Sequence, residues 1–387
     1  MTNSTPAPRS MNPAKARYIM IGGFLGAGKT TAIAALAQRL AARGLRVGLI
    51  TNDQGSELVD TAMLRSRGFA TEEIPGGCFC CRFNSLVDAA AKLTETTLPD
   101  VFIAEPVGSC TDLVATVTYP LRRIYGEEFL IAPLSVLVDP IRAERVFGLA
   151  DGKKFSDKVL YIFRKQLEEA DLIVITKSDL LTADRLESLR RRLAAEFPRA
   201  EIVDVSVREN RGVEEWFDQM LGTEQELRAT MDVDYEVYAE GEALLGWLNA
   251  TVALEASPGF EADAVLQHLA TDIQRRLGDA EIAHLKMTLS PEGGLGDIAV
   301  VNLVRSDFVP ELSLQLEAPV TSGQLIINCR AEAAPEILRD AVREAVSALP
   351  RAYPDVTAQL DHLEYFRPGK PQPTHRDPIG ASRYGAV

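Results

Sequence analysis

The stretch IMIGGFLGAGKTT, Ile19 to Thr31, constrains this 387-residue chain more than any other. Gly23, Gly28, Lys29 and Thr30 satisfy G-x-x-x-x-G-K-[ST], a pattern that works only as a turn between a buried strand and a helix N-terminus. Both flanks comply, with RYIMIG before the turn and TTAIAALAQRLAARG after it. Glycines let the loop backbone approach a ligand closely. The N–H groups of Gly26, Ala27, Gly28, Lys29, Thr30 and Thr31 can therefore ring phosphate oxygens at the positive end of the helix dipole. Lys29 supplies charge to the β- and γ-phosphates, and Thr30 offers a hydroxyl to Mg²⁺.

Such a turn commits the chain to a layered fold, and the next two hundred residues follow that grammar. RVGLIT, VFIAE, LSVLVD, LIVITK and IVDVSV are short apolar runs suited to strands buried on both faces, and they alternate with helical periodicity. The expected architecture is α/β: a doubly wound P-loop GTPase domain over 17–223 and a smaller C-terminal α+β domain over 234–350. Residues 1–16 read as a flexible lead, and 351–387 as a proline-rich tail, disordered or draped on a surface.

Strand ends place the remaining candidates. Glu105 closes VFIAE and Asp53 follows RVGLIT, so both are candidates to complete a Mg²⁺ site with Thr30. Thr176, Lys177 and Asp179 stand in TKSD, after a buried strand and on the ligand edge of a doubly wound sheet. A carboxylate at Asp179 accepts from both N1–H and the 2-amino group of guanine, a donor pair adenine lacks. Lys177 would lay its stem along the base, while Ser206 and the Val207 amide could meet the guanine carbonyl. The nucleotide predicted is GTP, with GDP as its product.

The thiols are unevenly distributed. Cys78, Cys80 and Cys81 fall within GGCFCC, whereas Cys110 and Cys329 stand apart and read as core residues. Clustered thiols serve metal binding, a redox pair or burial as small hydrophobes, and so few cysteines in so long a chain point to a reducing compartment, the cytoplasm. Three thiolates suit Zn²⁺, with Co²⁺ and Ni²⁺ as alternatives, and leave one tetrahedral position open to water, a carboxylate, a client or a second copy of the chain in a homodimer. The four histidines form no ligand pair by spacing. A formal charge of −14 disfavours nucleic acid, and YIMIGGFLG is too short and glycine-rich to span a membrane.

Taken together, GGFLGAGKTT, TNDQG, GGCFCC, EPVG and TKSD resemble the CobW-like GTPases that handle metals, relatives of the urease and hydrogenase nickel-insertion GTPases. The resemblance implies a metal site at Cys78, Cys80 and Cys81 between nucleotide-responsive segments, and delivery of a transition metal to a client metalloenzyme or cofactor-maturation protein. Where the family reads N-E-x-G-E, this chain has Asn52-Asp53-Gln54-Gly55-Ser56, and residues 234–387 do not match the family's usual C-terminal domain. A small-molecule kinase with structural zinc, and a nucleotide-binding zinc buffer, are the alternative functions. No arginine finger or water-orienting glutamine can be named, so turnover is expected to be slow without a partner.

Overall fold

The computed structural model describes residues 15–52, 59–293 and 297–378. Its first half is an eight-stranded sheet built from β1 (Ala16–Gly23), β2 (Val47–Asn52), β3 (Ala70–Ile74), β4 (Val101–Glu105), β5 (Phe129–Ile131), β6 (Ser135–Val138), β7 (Leu172–Ile175) and β8 (Glu201–Asp204). The order is β3-β2-β4-β1-β6-β7-β8, with β5 beside the start of β1, and every pairing is parallel. Helix α1 (Lys29–Ala42) covers one face through Ile33, Leu36 and Leu40, while Leu86, Leu93, Val159 and Phe163 cover the other. Burial on both faces explains why β1, β2, β4, β6 and β7 read as continuous apolar runs. Strand β3, ATEEI, was not legible as a strand, because an edge position leaves room for Glu72 and Glu73.

The second half is a six-stranded antiparallel sheet from β9 (Leu245–Phe260), β10 (Glu281–Pro291), β11 (Ala299–Leu303), β12 (Glu311–Leu314), β13 (Val320–Glu332) and β14 (Val356–Phe366), in the order β12-β11-β10-β13-β9-β14. One face packs Leu248, Val252, Leu285, Met287 and Ile327 against helices Ala262–Leu277 and Pro335–Ala352. The opposite face is laid over the parallel sheet's ligand edge, so Trp247 and Ala283 join the first sheet's core and Val300 joins the layer around α1.

The assignment of 351–387 to a tail needs correction. Val356–Phe366 forms β14, paired to β9 from Val356↔Ala256 to Phe366↔Trp247, and the polar–apolar alternation in VTAQLDHLEYF suits an edge strand. Residues 367–378 are the draped part: the Thr374 amide donates to the Cys80 carbonyl at 2.8 Å, and the Asp377 amide to the Ala115 carbonyl at 2.7 Å.

Candidate functional site

The strand-to-helix turn forms as its spacing predicts. Gly26 and Gly28 take left-handed φ values of 79° and 91°, and Lys29 opens α1. The Lys29 side chain folds back, its Nζ donating to the Gly23 carbonyl at 2.9 Å. Thr30 Oγ1 donates to Glu105 Oε1 at 3.0 Å, and both residues are buried. The β1–β4 and β2–β4 registers bring them together, because Thr51↔Glu105 puts the carboxylate at the strand ends directly below the turn. A hydroxyl and a carboxylate in contact beside a ring of backbone amides form a fitting Mg²⁺ donor set. Asp53 lies outside the described residues.

Thr176, Lys177 and Asp179 border the same cavity, of about 220 Å³. Thr176 Oγ1 donates to the Ala27 carbonyl at 2.8 Å, and Lys177 Nζ donates to the Gly26 carbonyl at 3.0 Å and to Asp139 Oδ2 at 2.9 Å. TKSD is thus locked onto the phosphate loop. Ser206 Oγ donates to Asp179 Oδ1 at 2.6 Å, so this hydroxyl orients the carboxylate rather than facing the cavity alone. Val207 also lines the cavity.

The three clustered thiols converge. Cys78 Sγ lies 2.8 Å from Cys80 Sγ and 3.2 Å from Cys81 Sγ, and Cys80 and Cys81 are 3.7 Å apart. Tetrahedral Zn–S bonds of about 2.3 Å put sulfurs about 3.8 Å apart, so the cluster needs only a small expansion to accept such an ion. The neighbouring thiols, Cys110 first and then Cys80 and Cys81, hold the Cys78 thiol well below its usual range. Contact with Cys78 pushes Cys80 well up and Cys81 up to about 11.

Cys110 is a buried core residue, as its separation from the other thiols suggests. It shares an apolar cluster with Cys78 and Cys80, and burial first, then the neighbouring Cys78 thiol, pushes its own thiol well up. Only the fold could reveal this, because 29 positions separate Cys110 from Cys81. The segment from Glu105 to Cys110 joins the two centres. Gly108 sits so close to the phosphate loop that a Cβ there would lie 3.0 Å from the Leu25 amide nitrogen. Gln166 Nε2 clamps the carbonyls of Gly108 and Cys110 at 2.9 and 2.8 Å. A second link runs from β2, where Asn52 Nδ2 donates to the Ile74 and Gly77 carbonyls at 2.8 and 2.6 Å, immediately before the thiols.

The cavity has a roof that sequence reasoning missed. Trp247, His284 and Lys286 from the antiparallel sheet face Lys29, Thr30 and Glu105 across it. The period-two alternation of EIAHLKMTLSP signals a second non-apolar face on β10, but nothing in the sequence says what that face covers.

Residues 17–204 match the CobW/HypB/UreG nucleotide-binding domain family. Among curated proteins, the chain is 33% identical over 205 residues to the zinc chaperone CobW of a Sinorhizobium species, covering 48% of this chain and 57% of that protein. It is 33% identical over 178 residues to the zinc chaperone YeiR of Escherichia coli K12, covering 45% and 50% respectively. The chain thus spans about half the length of the curated relatives it matches. Among solved structures, nickel-bound HypB from Helicobacter pylori aligns at TM-score 0.40 and 17% identity, over 54% of this chain and 86% of that one. Zn(II)-bound YjiA GTPase from E. coli aligns at TM-score 0.34 and 14% identity, over 87% and 99%.

Proposed function

Because this chain is a CobW-like P-loop protein, carrying a CobW/HypB/UreG nucleotide-binding domain over residues 17–204, we propose that it is a GTP-hydrolysing metallochaperone. It binds a transition metal as cargo at Cys78, Cys80 and Cys81 and passes it to a client protein. The observation that carries this reading is the short Glu105–Cys110 segment, whose first residue contacts Thr30 and whose last is buried in the same apolar cluster as Cys78 and Cys80. A rearrangement at the phosphate end cannot leave the thiols undisturbed when both hang on one clamped loop.

Each residue then has a role. Lys29 and the loop amides hold the β- and γ-phosphates. Thr30 and Glu105 hold Mg²⁺, which neutralises phosphate charge when bound. Asp179, oriented by Ser206, accepts from guanine, and Lys177 backs the base. Zinc is the favoured cargo on thiolate chemistry and on the name shared by the curated relatives.

Coupling of about 1–3 kcal/mol, the usual range between linked sites, changes metal affinity about 5–150-fold between nucleotide states. Titrating Zn²⁺ and Co²⁺ into the protein with GDP or a non-hydrolysable GTP analogue tests this, and the triple Cys→Ser variant should abolish tight binding. Equal affinities in both states would reduce the thiols to a static site and overturn delivery. Transfer of the γ-phosphate to a small acceptor would establish a kinase instead.

A further inference from the structure

A sheet with only one apolar face normally shows its other face to water. Here that second face is covered, and it carries a polar row in register: Asn302 on β11 opposite Lys286 on β10, Lys286 opposite Asn328 on β13, and Asn328 opposite Asn249 on β9. The row is stitched to the P-loop domain. Asn328 Oδ1 accepts from the Val59 amide at 3.0 Å, where the chain leaves the TNDQGSE segment, and Asn328 Nδ2 donates to Asn249 Oδ1 at 3.0 Å. The phosphate loop is built for this contact, since a Cβ on Gly26 would lie 3.0 Å from both the Ala283 carbonyl and Val304 Cβ.

At the centre of the row, Lys286 Nζ lies 3.5 Å from Thr30 Oγ1, the hydroxyl that also contacts Glu105. Beside it, His284 and Trp247 border the cavity, and their buried Nε2 and Nε1 atoms have no hydrogen-bond partner among the described residues. Burial first, and then Lys286, Arg330 and Lys29, hold the His284 imidazole well below its usual range. Lys29 and Lys286 thus approach the cavity from opposite walls, an arrangement that suits a polyanion held with a Mg²⁺ ion at Thr30 and Glu105.

We infer that the antiparallel domain completes the nucleotide site in cis, with Lys286 as the cation that meets the γ-phosphate of GTP. This rests on the guanine-nucleotide reading above and supplies the stabilising charge that the sequence did not reveal. In hydrolysis, water oxygen bonds to the γ-phosphorus, the bond from that phosphorus to the β–γ bridging oxygen breaks, and GDP and inorganic phosphate leave. The water protons end on phosphate or in solvent. Lys286 keeps its proton throughout and offsets the negative charge spread over the γ-oxygens.

The test compares Lys286→Met, Lys286→Gln and Lys286→Arg in the full chain with the parent, using fluorescent GDP, a non-hydrolysable GTP analogue and single-turnover GTP hydrolysis with Mg²⁺. For Met and Gln, hydrolysis should fall about 10²–10³-fold, the range for losing one preorganised charge or donor. Analogue affinity should fall at least about tenfold while GDP affinity changes less than about threefold, because GDP lacks the group Lys286 meets. Arg should retain most of the rate. If Met fails to fold by thermal melt, Gln and Arg still decide the matter. Hydrolysis within about twofold of the parent, or equal loss of GDP and analogue binding, overturns the role of Lys286 and leaves the guanine-nucleotide reading intact. A parent that binds no guanine nucleotide overturns that reading first, and this one with it.

Discussion

Asp179 and His284 show how far a single residue's chemistry reaches. Asp179 accepts from Ser206 Oγ through Oδ1 and keeps its remaining acceptor capacity for the cavity it borders. Asp179→Asn should lower GTP affinity by about two orders of magnitude, as loss of two charge-assisted hydrogen bonds implies, and raise xanthine nucleotide affinity; competition binding with GTP, XTP and ATP measures both. Asp179 was legible because a carboxylate after a buried strand has few uses beside a phosphate loop. His284 was not, because a histidine on a strand does not announce what covers it. Its imidazole is held below its usual range by burial, with Lys286, Arg330, Lys29 and Arg142 the charged groups around it. The unfolded chain therefore binds its proton more readily than the folded one. Stability tied to this group is present above the unfolded pKa of about 6.5 and lost as pH falls below it. Urea denaturation at pH 7.5 and 5.5 should show the loss, and His284→Leu should shrink it.

At the scale of elements, the segment after β14 matters most, because it lies on the thiols. The Gln372 amide donates to Cys81 Sγ at 3.1 Å, and Thr374 Oγ1 donates to the Cys81 carbonyl at 3.2 Å. His375 packs edge-on against Phe83 at 4.9 Å, and Arg376 Nε pairs with the buried Asp112 carboxylate at 2.7 Å. A metal reaching Cys81 must pass or lift this strap. Arg376→Ala removes its main anchor, so labelling of Cys81 by a disulfide reagent should speed up about tenfold, and the melting temperature should also fall because the variant leaves the buried Asp112 carboxylate without its cation. An unchanged labelling rate would mean that the strap does not gate the thiols. Proline content marked this stretch as lacking regular structure but could not say where it lies, since its contacts are with residues about 130 to 290 positions away.

At the scale of the molecule, the two sheets are joined through charge as well as packing. Asp139, at the end of β6, is buried between Lys177 Nζ at 2.9 Å and Arg305 Nη1 at 3.1 Å, and thus links the TKSD loop to the antiparallel domain. Burial would raise its pKa, but Lys177 and Arg305 outweigh that penalty and hold it well below the usual carboxylate range. The stability it contributes is present above the unfolded pKa of about 3.9 and is lost only as pH falls through the lower folded value, so it is constant near neutrality. Asp139→Asn should cost about 3–5 kcal/mol, because it leaves the buried Arg305 with only the half-exposed Asp307, at 3.4 Å, as a charge partner. Urea denaturation measures the cost, and nucleotide affinity should fall with it as the roof loosens over the phosphate loop.

The sequence by itself determined the phosphate loop, the strands buried on both faces, the TKSD turn beside that loop and the cluster of Cys78, Cys80 and Cys81. Each of these is local: its chemistry depends on residues a few positions apart and on helical or strand periodicity. Tertiary structure alone decided that Cys110 packs in the same core cluster as Cys78 and Cys80, that the strap lies across the thiols, and that Lys286, His284 and Trp247 roof the cavity beside the phosphate loop. Those contacts join segments that are remote in the chain, and they depend on which face of a sheet meets which edge of another. Alternation along β10 specifies two faces, but only the packing of one domain on the other selects the partner for each.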